Sequence, residues 1–283
     1  MRVKAGGGRA AAEALTFSAF PTSLVYYLPM RNQTQLLSSR TRVKPRYALL
    51  PLEGIPLSRL PEWPGASVRV LAGPALGAEF AEYLLDLQPG QEGGHQADGV
   101  VEYFFYVLSG ALGLSVDGRS YALEEGGFAL VPPTRGFSAE APAGASLLLL
   151  RKRYEPVRGI PMYDTLAGSQ EKTRGDVYSG DPGARLQVLI PDDPVYDLAM
   201  NIFTFDVGHS LPVTETHVME HGLYVLQGKG LYFLDDSWME VEATDFIWMG
   251  PFCPQSYYAT GPMPSKYIYY KNVNREIPLV RRP

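Results

Sequence analysis

The sequence predicts an all-β protein made of two copies of one domain, and three observations carry that prediction. The 283 residues include 29 glycines and 24 prolines, a supply of turn formers that suits many short strands joined by tight turns. Apolar residues alternate with polar ones or gather in short runs, and long stretches of helical period are absent. The chain also repeats itself. Tyr106-Val107-Leu108-Ser109-Gly110 returns 118 residues later as Tyr224-Val225-Leu226-Gln227-Gly228. Gly90 and Gly208, Gly127-Phe128 and Asp245-Phe246, and Pro133 and Pro251 keep the same offset. A period this long marks a duplicated domain rather than a solenoid.

Taken in order, residues 1–29 hold Gly6-Gly7-Gly8 and an alanine run with no strand period, so they are expected to form a variable or disordered leader. A secretory signal does not fit there. Arg2 and Lys4 precede a moderately apolar stretch, but Glu13 and Pro21 interrupt it and no small-residue cleavage site follows. The basic stretch 40–46 reads as a solvated edge segment. Strand patterns run from Tyr47 onward, with segments at 68–71, 80–87, 103–108, 112–116, 120–123 and 128–131. Near 151–161 a basic stretch and Pro156, Gly159 and Pro161 interrupt the strands. The expected domains are therefore 30–155 and 156–283.

Composition narrows the function classes. Hydrophobic residues make up 46%, enough for ordinary globular cores. The net charge of −5 argues against nucleic acid, which calls for clustered basic charge. No apolar run approaches the ~20 residues of a membrane helix. Cys253 is the single cysteine, so no disulfide forms within the chain, in keeping with a reducing, cytoplasmic setting.

The chemistry concentrates in Glu215-Thr216-His217-Val218-Met219-Glu220-His221, which holds two of the four histidines. On a strand, even spacing shares a face. Glu215, His217 and His221 then point one way and Glu220 the other. A carboxylate and two imidazoles inside a β domain make a mixed N/O site for Mn²⁺, Fe²⁺, Ni²⁺ or Zn²⁺. Isolated histidines in β proteins are more often surface or core residues, so the wider pattern decides. Gly228 follows His221, and Asp245-Phe246-Ile247-Trp248-Met249-Gly250-Pro251 leads on to Pro254-Gln255.

That pattern resembles the cupins, whose motifs run G-x5-H-x-H-x3,4-E-x6-G and G-D-x4-P-x-G-x2-H. Here Glu215 stands at the first His, His217 at the second, His221 at the Glu and Gln255 at the last His. Six residues rather than five separate Gly208 from Glu215, and Pro251 sits one place late after Asp245. The Glu/His/His/Gln set narrows the resemblance. With Pro251-Phe252-Cys253-Pro254-Gln255, Tyr270-Lys271-Asn272-Val273-Asn274-Arg275, Leu36-Leu37-Ser38-Ser39-Arg40 and residues 102–110, the chain resembles the (S)-ureidoglycine aminohydrolase family, manganese-dependent bicupins of purine (allantoin) catabolism.

The resemblance implies two tandem cupin barrels of the double-stranded β-helix, or jelly-roll, type. It implies one Mn²⁺ per chain on Glu215, His217, His221 and Gln255, with Lys271, Tyr267 and Tyr232 contacting a small anionic substrate. The reaction implied is hydrolysis of (S)-ureidoglycine to (S)-ureidoglycolate and ammonia. At the repeat offset the four ligand positions become Ala97, Gly99, Tyr103 and Phe137, none a good ligand, and His95 nearby has no companions. The first barrel is therefore expected to hold no metal and to serve structure and homo-oligomer assembly. Two rival readings are another metal-dependent cupin enzyme, such as an oxygenase or isomerase, and a non-enzymatic small-molecule-binding cupin. Oxygen consumption would single out the first, and binding without turnover the second.

Overall fold

The structure, a computed structural model, describes residues 40–276. The leader 1–29 and most of the 36–40 segment lie outside the described residues. Among those described, the regular elements are strands and three single-turn 3-10 helices at Leu52–Gly54, Pro74–Leu76 and Gln170–Lys172. Among the described residues no helix is long and apolar enough to cross a membrane.

Two barrels form, each from antiparallel strands. In the first, Gly127–Val131, Val101–Val116, Ala145–Arg153, Phe80–Leu87, Trp63–Ala72 and Leu57–Leu60 lie side by side. Gln91–His95, Phe137–Ala141 and Arg119–Glu124 complete it around the far half of Val101–Val116. The second repeats the plan with Phe246–Met249, His221–Gln227, Ser265–Asn272, Leu198–Phe205, Asp181–Val188 and Gly175–Tyr178, facing Ser237–Glu242, Lys229–Leu234 and Gln255–Thr260. The repeat in the sequence is thus a repeat of strands: Phe80–Leu87 and Leu198–Phe205 stand 118 residues apart.

The halves also trade a strand. Tyr47–Leu50 pairs with Phe246–Met249 of the second barrel, and Leu166–Ser169 pairs with Gly127–Val131 of the first. Each barrel is closed by chain that precedes or follows the other. Separating the barrels would expose two sheet edges as well as apolar surface.

The strands at the junction are buried on both faces, which explains why they read as apolar runs rather than as clean alternation. Leu147 and Leu149 fill the first barrel, while Leu148 and Leu150 meet Met200, Ile202, Ile268 and Tyr270 between the barrels. Burying one such side chain contributes roughly 1.5–3 kcal/mol. A polar cluster sits in the same junction: Lys152 Nζ lies 2.6 Å from Asp197 and 3.4 Å from Glu102, which also accepts the Tyr163 hydroxyl. All three side chains are buried, and burial together with the neighbouring Asp197 raises the Glu102 pKa to about 8. The ion pair is therefore Lys152 with Asp197, and removing either of those two leaves an uncompensated charge at a cost of about 3–5 kcal/mol.

Two local expectations change. The segments 103–108 and 112–116 are one strand, Val101–Val116. Gly110 takes φ of +77° against the Gly144 carbonyl, where a Cβ would have no room, and the register shifts beside it. The strand therefore bends from one sheet into the other instead of ending. Gly228, with φ of +80° against Pro264, closes the second copy of the motif in the same conformation. The basic stretch is only partly a solvated edge. Arg40 binds both carboxylate oxygens of the buried Asp245 and also Glu242, and Arg46 pairs with Asp235.

Candidate active site

The second barrel encloses a cavity of about 400 Å³. Three neighbouring strands build its floor. On Ser265–Asn272 the alternate residues Tyr267, Tyr269 and Lys271 face inward. Leu198–Phe205 sets Phe203 beside Tyr267 and Asn201 beside Tyr269. On the other flank His221 sits beside Lys271. Gly222, next in sequence, must lack a side chain, because a Cβ there would meet Phe80 of the first barrel at 2.6 Å. That close approach fixes the strand that carries His221.

Glu215 and His217 arrive differently from the expectation. They are not on the strand of His221, which begins at that residue. Residues 211–220 form a loop that includes Pro212 and has one isolated bridge, Glu215 with Gln255. Backbone bonds of 2.8 and 2.9 Å join those two residues, and the Phe252 amide donates to the His217 carbonyl at 2.8 Å. The loop, rather than strand parity, carries Glu215 and His217 to the cavity. Glu220 does point elsewhere: it is buried under Trp248, whose indole N–H donates to it, and accepts the Glu79 amide.

Glu215, His217, His221, Gln255, Tyr232, Tyr267 and Lys271 all line the one cavity. His217 Nε2 lies 3.1 Å from His221 Nε2 and 3.1 Å from Gln255 Nε2. His221 Nδ1 is 3.1 Å from the Tyr270 carbonyl, so that nitrogen carries the proton and Nε2 presents a lone pair. Burial pushes the His221 pKa down to about 3, with His217 and Lys271 adding to the effect. Burial also lowers that of His217, against the pull of Glu215. Both rings are neutral, as metal ligands must be.

In this orientation no placement of a proton on His217 Nε2 suits both neighbours, since a bare nitrogen faces the His221 lone pair and a protonated one faces the Gln255 amino group. A cation held by lone pairs removes the conflict. Gln255 joins by turning its amide, because the Tyr232 hydroxyl, 3.0 Å from Gln255 Oε1, can accept as well as donate. Glu215 is oriented by the Tyr178 hydroxyl, which donates to it at 2.9 Å. No trio of His, Cys, Asp and Glu among the described residues is arranged to hold an ion; Glu215 lines the cavity with the two imidazoles and the carboxamide. By donor type, two neutral imidazoles, a carboxylate and a carboxamide suit a divalent metal.

A cupin-domain family model matches residues 83–150. Over 250 residues the chain is 34% identical to (S)-ureidoglycine aminohydrolase of Escherichia coli strain K12, spanning 86% of this chain and 94% of that one. It is 33% identical to (S)-ureidoglycine aminohydrolase of Arabidopsis thaliana, over 84% and 79% of the two chains. The crystal structure of E. coli protein Ylba superposes with a TM-score of 0.75 at 30% identity, covering 87% of this chain and 99% of that chain. The chain belongs to the (S)-ureidoglycine aminohydrolase family. It is an enzyme with the bicupin fold.

Relative to the sequence reading of this aminohydrolase-family site, the cavity adds Tyr178, Asn201 and Tyr269. Asn201 had a usable signal: the repeat offset carries the 80–87 pattern onto 198–205, where Asn201 and Thr204 are the only polar residues and Asn201 shares the parity of Phe203 and Phe205. Tyr178 had none, since its role depends on where an edge strand passes the loop. In the first barrel, Tyr103 and Phe137 are packed in the interior with rings 5.1 Å apart, while Ala97 and Gly99 are exposed.

Proposed function

We propose that the chain hydrolyses (S)-ureidoglycine to (S)-ureidoglycolate and ammonia, with one Mn²⁺ held by Glu215, His217, His221 and Gln255. The observation that carries this reading is the convergence of two neutral imidazoles, a carboxamide and a carboxylate in one cavity with Lys271, in a chain of this family. Two oxygen and two nitrogen donors of this kind suit Mn²⁺. A divalent ion bound there supplies Lewis acidity and a template for the substrate.

The chain's own residues do the rest. Lys271, which forms no ion pair among the described residues, anchors the substrate carboxylate through its ammonium. Burial pushes the Tyr232 and Tyr267 hydroxyls well above their usual range, so they stay protonated and serve as hydrogen-bond partners rather than bases. Holding the α-carbon between these fixed groups selects the face from which water replaces the leaving amine, and orientation of this kind supplies much of a rate enhancement. The same reading carries a cytoplasmic homo-oligomer acting on a small anion.

The test is ammonia release from freshly generated ureidoglycine by protein stripped of metal and reloaded with Mn²⁺. Release well above the uncatalysed rate, dependent on the metal, is the expected result. A loaded protein that adds nothing to the uncatalysed rate would rule the reading out.

A further inference from the structure

Asn201 is the cavity's unused polar group. Its parity on Leu198–Phe205 matches that of Phe203 and Phe205, which pack inside the second barrel, while Met200 and Ile202 face the junction. Asn201 is 5% exposed and lines the cavity. Its amide nitrogen lies 3.3 Å from the Tyr269 hydroxyl, and its Oδ1 is buried with no partner. A buried acceptor without a partner is destabilising, and a site of this kind recovers that cost when a ligand supplies the missing donor. The Tyr269 hydroxyl both donates and accepts, so whichever end of the amide faces Tyr269, the other end faces the cavity unpaired. Beyond Tyr269 on the same inward row stands Lys271, whose strand neighbour on the Asn201 side is Ala199. Ala199 leaves the space between the carboxamide and the ammonium free of a larger side chain.

We propose that Asn201 is the specificity residue for the substrate's ureido group, pairing its carboxamide with the terminal –CO–NH₂ while Lys271 takes the carboxylate. The inference rests on the reading of the cavity as a ureidoglycine site. A carboxamide suits this task because a primary ureido group offers a donor and an acceptor side by side, and a carboxamide offers the complement. A site built to hydrogen-bond an N–H rejects an analogue that lacks it, because its own polar atom is then left buried and unpaired.

The experiment compares two stable acids that lack the leaving amine. N-carbamoylglycine keeps the ureido group, and N-acetylglycine replaces its terminal NH₂ with a methyl group of similar size. Affinities are measured by calorimetry on Mn²⁺-loaded wild type, Asn201→Ala and Asn201→Asp, with thermal melting to verify folding. Wild type should prefer N-carbamoylglycine by about 10-fold or more. Asn201→Ala should bring the two acids within about 3-fold of each other. Asn201→Asp should weaken both, since its charge faces the ligand's carboxylate in one cavity, and on ureidoglycine the Ala variant should lose chiefly in KM. Equal affinity of wild type for the two acids, or an undiminished preference in folded Asn201→Ala, overturns the inference. The calorimetry also separates the two readings. A preference that Asn201→Ala abolishes, in a protein that releases no ammonia, would sink the proposed reaction and leave Asn201 as the ureido selector. Turnover with no preference would do the reverse.

Discussion

The two barrels share a backbone and differ in what fills them. Inside the first, Tyr83 stands at the position of Asn201, Leu147 and Leu149 at those of Tyr267 and Tyr269, and Arg151 at that of Lys271, as the matching registers of the paired strands show. Arg151 is already neutralised by Glu62 at 3.0 Å and lies over the Tyr83 ring. Phe137, at the position of Gln255, packs edge-on against both Tyr103 and Phe105 at 5.1 Å. One barrel satisfies its interior with itself, and among the described residues the other leaves Lys271 without an ion pair and Asn201 with a bare acceptor. The fold provides the enclosure, and a handful of inward positions decide whether the enclosure is a core or a site. The cupin family model matches the first barrel, at 83–150, although the polar cavity is in the second.

The sharpest way to break this contrast is to remove a proposed ligand. His217→Ala should lower ammonia release by at least about 100-fold and Mn²⁺ affinity by at least about 10–100-fold, since changes one shell further out already cost that much. Metal analysis of wild type should give one ion per chain. Two tightly held ions would mean that the first barrel is also a site. The complementary change is Phe137→Ala, which empties part of the first interior and should cost about 3–5 kcal/mol of stability by denaturant unfolding. It should leave the Mn²⁺ affinity of the folded protein intact. Loss of metal binding along with stability would show that the barrels do not act separately.

How much of this could be read in the sequence follows from the same comparison. The repeat offset of 118 was visible because glycines and apolar runs at bends and strand starts are dictated by the backbone, as Gly110 and Gly228 illustrate. The cavity-lining Glu215, His217 and His221 were visible because the chain has only four histidines and two of them fall within five residues of one another beside a carboxylate. The interior of the last strand was harder to align. In the paired registers Leu149 corresponds to Tyr269, an offset of two more than 118, so the one offset read from the sequence slips there by two. The traded strands Tyr47–Leu50 and Leu166–Ser169 were illegible for a different reason, since each is short and its partner lies in the other half of the chain. Strand parity failed for Glu215 and His217 because a loop held by one bridge obeys no period.

A smaller effect is expected at the carboxamide. Gln255→Ala should weaken Mn²⁺ binding by about 10–100-fold, less than His217→Ala or Glu215→Ala, because a neutral oxygen contributes less than an imidazole or a carboxylate. The readout is Mn²⁺ titration into the demetallated variant. Unchanged affinity together with unchanged turnover would confine Gln255 to its bond with Tyr232 and remove it from the ligand set.

The smallest difference tests the junction rather than the site. Glu82 and Met200 occupy equivalent positions 118 residues apart on Phe80–Leu87 and Leu198–Phe205, one a carboxyl and the other a thioether. Both are buried. Glu82 Oε2 has no partner, and burial alone lifts the pKa from 4.5 to about 8. Unfolded, this carboxyl loses its proton near the ordinary value; folded, it keeps the proton to about 8. Between those values folding takes up a proton, so stability falls as pH rises through the window and levels off above it. Glu82→Met copies the second barrel's solution in a side chain of similar length that adapts to irregular space. It should leave stability near pH 5 little changed and raise it by about 2 kcal/mol more at pH 6.5, a melting-temperature gain of roughly 4–8 °C for a chain of this size. Melting curves at the two pH values decide the matter. A gain that is the same at both would show that Glu82 is ionised in the folded protein, and that the first barrel meets the second through a charge rather than a neutral acid.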